Sequence, residues 1–176
     1  MERNPIAYAL LGLLRLKPLS GYEMKARIDK SIRFFWAASY GQIYPELRRL
    51  EVAGLVERES APQGQRQRNV YRLTPEGNAV LREWLVAGDV GYEYRDLGLL
   101  KLFLSDGLTT QEQVALLERI GANHARTLEQ LREVERALPA EAGYPRTLVL
   151  EYGLALHEFN VGWFRQAQQR VKRRAA

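Results

Sequence analysis

Apolar residues in the first half of the chain recur at helical spacing and are cut into short segments by clear start and stop signals. Pro5 opens a first helix whose Ile6, Leu10, Leu13 and Leu14 form one stripe, and Lys17-Pro18 ends it. Ser20-Gly-Tyr-Glu23 reads as a capping box: hydroxyl and carboxylate satisfy reciprocal orphan amides and start a second helix running to about Lys30. After the aromatic run Phe34-Phe35-Trp36, a second box, Ser39-Tyr-Gly-Gln42, starts a third helix.

On that third helix Ile43, Leu47 and Leu50 share one face, and Tyr44, Arg48 and Arg49 turn the other way. Pro45 clashes with the carbonyl of Gly41, so either the first turn is distorted or the helix proper starts near Tyr44. Gly54 is a C-cap, residues 55–59 lead into a strand, and Pro62 and Gly64 form the turn before a second strand at 69–73. Thr74-Pro75 caps a fourth helix that continues to Trp84-Leu85.

Gly88 and Gly91 mark the boundary between two expected domains, 1–88 and 89–176. Beyond it the pattern is helical, at about 96–104, 111–138 and 147–173, with Pro139 and Pro145 as punctuation. The middle helix carries Leu117, Ile120, His124, Leu128, Leu131, Val134 and Leu138 as a stripe, and the last carries Val149, Tyr152, Leu156, Phe159 and Trp163. Stripes of this length are expected to pack on each other and on a second copy of the chain.

Charge adds direction. The chain is net +5, with 14 basic against 10 acidic residues in 1–90 and 12 against 11 in 91–176. The second half owes even that excess to Arg170, Lys172, Arg173 and Arg174. An anionic partner is therefore expected at the first half. There is no cysteine, which removes disulfides and thiolate chemistry. No apolar run approaches the roughly 20 residues of a membrane helix, and the N-terminus lacks the order of a signal peptide, so a soluble, cytoplasmic protein without membrane association is expected.

Catalytic chemistry finds no support. His124 and His157 are not at metal-ligand spacing, and His124 falls in an apolar stripe as a core residue. Neither GxGxxG nor a P-loop occurs, and the carboxylates alternate with Lys and Arg as on ordinary solvated helices. No enzyme activity, catalytic residue, metal or cofactor is expected.

A helix presenting Tyr, Gln and Arg can lie in the major groove, reading base edges while arginines neutralise phosphates. The hairpin adds Arg66 and Arg68 among Gln63, Gln65 and Gln67. The expected fold is mainly α with a small β wing: an N-terminal winged helix-turn-helix followed by a C-terminal helical dimerisation domain. The expected partner is double-stranded DNA.

At this point the chain resembles the PadR family of transcriptional regulators. The resemblance is carried by Ala9-Leu-Leu-Gly-Leu13, Leu19-Ser-Gly-Tyr-Glu23, Gly41-Gln-Ile-Tyr-Pro-Glu-Leu47, Leu50-Glu-Val-Ala-Gly-Leu55 and Tyr71-Arg-Leu-Thr-Pro-Glu-Gly77. It implies a dimeric repressor on an inverted-repeat operator, and it accounts for Pro45 as part of the family's pattern. Residues 95–104 and the long last helix look like the members with the larger C-terminal domain. Carried over by position, Ser39, Tyr40, Gln42 and Tyr44 sit at the groove, with Tyr22, Lys25, Arg48, Arg49, Arg66 and Arg68 on the backbone. Asn69 departs from the family's usual basic residue, leaving Arg66 to compensate.

The resemblance also implies a small aromatic effector, for which Trp36 and Trp163 are the candidate pocket residues among Phe34, Phe35, Tyr152, Phe159 and Phe164. The alternative function is a protein-binding adaptor that keeps the winged-helix scaffold without binding DNA.

Overall fold

The computed structural model describes residues 4–63, 66–86, 91, 96–139 and 143–175; the side chains of 60–68 and 175 lie outside that description. The chain divides into two compact units, Met1–Gly91 and Tyr92–Ala176. The architecture is mainly helical with one two-stranded antiparallel sheet, as the sequence pattern requires.

In the first unit α1 (Pro5–Leu14) starts where the Asn4 side chain accepts the Ile6 amide at 3.1 Å. The reciprocal box expected at α2 (Gly21–Lys30) is present: the Glu23 amide donates to Ser20 Oγ at 3.3 Å, and the Ser20 amide to Glu23 Oε2 at 2.8 Å. Helix α3 runs unbroken from Tyr40 to Val52 with Pro45 inside it, so it does not wait for Tyr44 to begin. Ile43, Leu47 and Leu50 are fully buried against Leu10, Leu11, Leu14, Met24 and Ile28. Burial of side chains this size contributes roughly 1.5–3 kcal/mol each, which fixes the rotation of α3 about its axis.

Gly54 ends α3 in the left-handed region at φ 69°. The Leu55 amide reaches back to the Leu50 carbonyl at 2.9 Å and the Gly54 amide to Glu51 at 3.0 Å, a Schellman closure. The chain then enters β1 (Val56–Gln63), which pairs in antiparallel register with β2 (Arg66–Leu73) from Val56↔Leu73 to Gln63↔Arg66. The hairpin is longer than the sequence pattern suggests, because Pro62 lies within β1 opposite Gln67 rather than in the turn. An edge strand tolerates proline where no ladder donor is needed. Leu19 and Tyr71 exchange backbone hydrogen bonds at 3.1 and 2.9 Å, joining the entry to α2 to the hairpin.

Thr74 ties these parts to α4 (Pro75–Val86). Its hydroxyl donates to the Gly54 carbonyl at 2.8 Å and accepts the Gly77 amide at 3.0 Å, while its own amide donates to the Leu55 carbonyl at 3.2 Å. A Cβ on Gly77 would stand 2.0 Å from the Leu55 carbonyl oxygen, so only glycine fits the first turn of α4.

The second unit holds α5 (Leu97–Phe103), α6 (Thr110–Arg136) and α7 (Tyr144–Ala175). Thr109 and Glu112 form a further capping box at the start of α6, and Asp96 caps α5 by accepting the Leu99 amide at 2.9 Å. Helix α7 starts three residues before the expected Thr147, since Pro145 falls in its first turn where no intrahelical donor is missed. Leu117, Ile120, Leu128 and Leu131 of α6 are buried as expected. The face of α7 that packs on α6 carries Phe164 and Ala167, with Trp163 of the expected stripe packed against them, and Leu150 is also buried. Val149, Tyr152, Leu156 and Phe159 are exposed, so α7 is apolar on two sides.

His124 is half-buried rather than plain core. Its Nδ1 lies 3.0 Å from Nδ1 of His157, one nitrogen donating and the other accepting, and its ring stacks on Phe164. Burial pushes both imidazoles below their ordinary value; Asp96 opposes this at His124, and His124 adds to it at His157.

Two outcomes are expected. Gly77→Ala lowers stability by about 3 kcal/mol in urea unfolding, the overpacking range, although alanine is the better helix former; a stabilised variant would contradict the fit. The histidine pair gives an acid dependence. Because both folded pKa values lie below the unfolded value of about 6.5, the unfolded chain takes up protons first. Stability is therefore complete above that pH and is lost as pH falls through the folded values. Tm should drop between pH 7.5 and 5.5, and His157→Gln should flatten that drop; an equal drop in the variant would exclude the pair as its source.

Candidate nucleic-acid interface

The buried side of α3 dictates the exposed one. With Ile43, Leu47 and Leu50 inward, Tyr40, Tyr44 and Arg48 emerge one turn apart on the outer surface. Tyr22 of α2 completes a row with them: its ring centroid is 6.5 Å from that of Tyr40, which is 6.1 Å from that of Tyr44, all near parallel. The three side chains stay 67%, 44% and 42% exposed, far more than core aromatics of this size. The row is held from below, since a Cβ on Gly21 would meet the Tyr44 ring at 2.7 Å.

Lys25 projects over the Tyr40 ring, 5.7 Å from its centroid, and pairs with Asp29 one turn on. Arg49 Nη1 bonds Glu46 Oε2 at 2.8 Å, with the arginine side chain 70% exposed and the glutamate only 5%. Arg58 pairs with Glu51 at 3.0 Å and Arg72 with Glu59 at 3.3 Å. Arg48 has no ion-pair partner among the described residues. Exposed pairs of this kind are worth about 0–1 kcal/mol and yield readily to a phosphate.

Ser39 is the N-cap of α3, and Gln42 Oε1 accepts both its amide at 2.9 Å and its hydroxyl at 3.2 Å. Burial, with the Glu51 carboxylate adding, pushes the Tyr71 phenol of β2 above its ordinary value.

The structure thus brings together Tyr22, Lys25, Ser39, Tyr40, Gln42, Tyr44, Arg48 and Arg49 on α2, α3 and the junction between them. Arg66 and Arg68 lie on β2, opposite Gln63 and Ala61, with side chains outside the described residues. Trp36 is part-exposed beyond α2 in the first unit; Trp163 belongs to the second, edge-on to Phe164 and under the Arg170 guanidinium. Phe164 is core. Sequence reasoning missed the carboxylates Asp29 and Glu46, whose signal was their spacing of four and three from a basic residue. Such a surface offers flat aromatic edges, amide donors and cations to a polyanion.

The model of the transcriptional regulator PadR-like family matches residues 10–83, and that of the virulence activator alpha C-terminal region matches residues 94–172. The chain thus carries a PadR-like domain over residues 10–83. Its N-terminal unit holds the first match and its C-terminal unit the second. It is similar to the negative transcriptional regulator PadR of Bacillus subtilis, at 34% identity over 109 residues. That match covers 61% of this chain and 60% of the relative. The crystal structure of Bacillus subtilis PadR in complex with operator DNA aligns with a TM-score of 0.86 and 27% identity, covering 96% of this chain and 99% of that one. The same regulator in complex with p-coumaric acid aligns at 0.76 and 26% identity, covering 97% and 99%.

Proposed function

We propose that this PadR-like protein is a sequence-specific DNA-binding transcriptional regulator, a dimeric repressor of an inverted-repeat operator that a small aromatic effector releases. One observation carries the reading: Tyr22 of α2 and Tyr40 and Tyr44 of α3 form an exposed row, with Arg48 beside it and without an ion-pair partner among the described residues, while Ile43, Leu47 and Leu50 bury the other face of α3. The likeness over nearly the whole chain to a PadR in complex with operator DNA supports it. In this reading Ser39, Tyr40, Gln42 and Tyr44 enter the major groove. Tyr22, Lys25, Arg48, Arg49, Arg66 and Arg68 hold the phosphates. Residues 1–88 bind DNA and 89–176 bring two copies together.

The exposed apolar stripe of α7, with Leu100, Phe103 and Leu104 of α5, is the surface assigned to the second copy. Its extent is unlike the scattered apolar residues of an ordinary monomer surface. The effector belongs to the aromatic acids, by the likeness to the p-coumaric acid complex, and Trp36 in the first unit and Trp163 in the second are each candidates to stack on it. The protein's work is binding rather than catalysis, and it is done in the cytoplasm. Among the described residues no helix is long and apolar enough to cross a membrane, and no cluster suits a metal ion.

Footprinting on the operator should show an inverted repeat with half-sites roughly 10 bp apart or a multiple of that; one asymmetric footprint would contradict the dimeric reading. Arg48→Ala should lower the slope of log affinity against log salt by about one and leave Tm unchanged. Arg49→Ala should also lower Tm, because it strands the buried Glu46 carboxylate. An unchanged slope for Arg48→Ala would remove that residue from the phosphate contact.

A further inference from the structure

We infer that Gln42 reads the operator as a donor only, and so selects guanine over adenine where it meets the groove. This rests on the DNA-binding reading above. A glutamine with both ends free pairs with adenine, its amide oxygen taking the N6 hydrogen while its amide nitrogen gives to N7. Here the oxygen is engaged by Ser39, taking the backbone amide at 2.9 Å and the hydroxyl at 3.2 Å. A carboxamide oxygen has two lone pairs, and these two donors use both. Which end of the amide faces Ser39 is fixed chemically: a backbone N–H can only donate, so the atom opposite must be the oxygen.

What remains to Gln42 is an NH2 group with two hydrogens on an exposed side chain in the first turn of α3. That turn is where a recognition helix meets base edges. Guanine presents N7 and O6 there, two acceptors side by side. Thymine presents O4 alone beside its methyl group. Adenine sets an N6 donor next to N7, and cytosine offers only a donor. The order of preference is therefore guanine, then thymine, with adenine and cytosine disfavoured. Turning the oxygen toward adenine would give up the cap that starts the helix, so the same contact that builds α3 restricts what α3 can read.

Duplexes selected from a random pool and sequenced test this with three full-length proteins: unaltered, Gln42→Ala and Gln42→Glu. In each half-site bound by the unaltered protein, one position should favour guanine over adenine by about tenfold, the discrimination of one good base contact. Both variants should bring that position close to parity and leave the others unchanged. Gln42→Glu keeps an acceptor for Ser39 but carries no donor, so its loss of preference separates reading from capping. Guanine preference retained in either variant overturns the inference, and so does adenine preferred at the position that responds to Gln42. Failure of the unaltered protein to enrich any duplex would instead overturn the DNA-binding reading itself, an outcome distinct from an enriched site indifferent to Gln42.

Discussion

The end of α3 is the constraint on which the first unit depends. A helix terminus leaves carbonyls without partners, and here they are closed by Gly54 and Leu55 turning back on Leu50 and Glu51. The Thr74 hydroxyl takes the next free carbonyl, that of Gly54, and hands its own acceptor to the first turn of α4. The hairpin thus leaves and returns at one point, between a helix that ends at Gly54 and a helix that can begin only over glycine at 77. Because that point is fixed, the tyrosine row of α3 and the strands of the wing hold a constant relation within the unit. A surface meant to meet a rigid duplex needs that constancy more than it needs any single cation.

The cations follow a different logic. Lys25, Arg49, Arg58 and Arg72 each rest on a carboxylate, so the charge of the surface is muted while the protein is free. Exchanging an exposed carboxylate for a phosphate costs little. Glu46 is different, since it is buried and holds Arg49 at the rim. In the second unit the central contact between α6 and α7 is itself polar, the His124–His157 pair set against Phe164. A helix pair joined in part by imidazoles is less stable in acid, whereas the apolar faces around it are not sensitive to pH.

Much of this was legible in the sequence. Ser20 with Glu23 marked the start of α2, Gly54 the end of α3, and the spacing of Ile43, Leu47 and Leu50 fixed which side of α3 faces out. These signals are local, needing only neighbours within a turn. What was not legible depends on partners far away in the chain. Pro62 looked like a turn but sits in a strand that needs no donor from it. Val149, Tyr152, Leu156 and Phe159 read as a stripe for α6 and for a second copy alike, and a helix apolar on two sides gives periodicity no means to choose which residues meet α6. His157 lay off the chosen stripe, so its pairing with His124 was invisible. Glu46 carries a charge, and a charge reads as exposed until its arginine is seen beside it.

The claim that matters most is where the duplex lies. Hydrogen–deuterium exchange of the full chain, with and without an operator fragment, answers it directly. Slowed exchange should be confined to residues 20–25, 39–49 and 56–73, around the tyrosine row and the wing. Protection that left these segments unchanged and appeared instead along 97–175 would contradict the account.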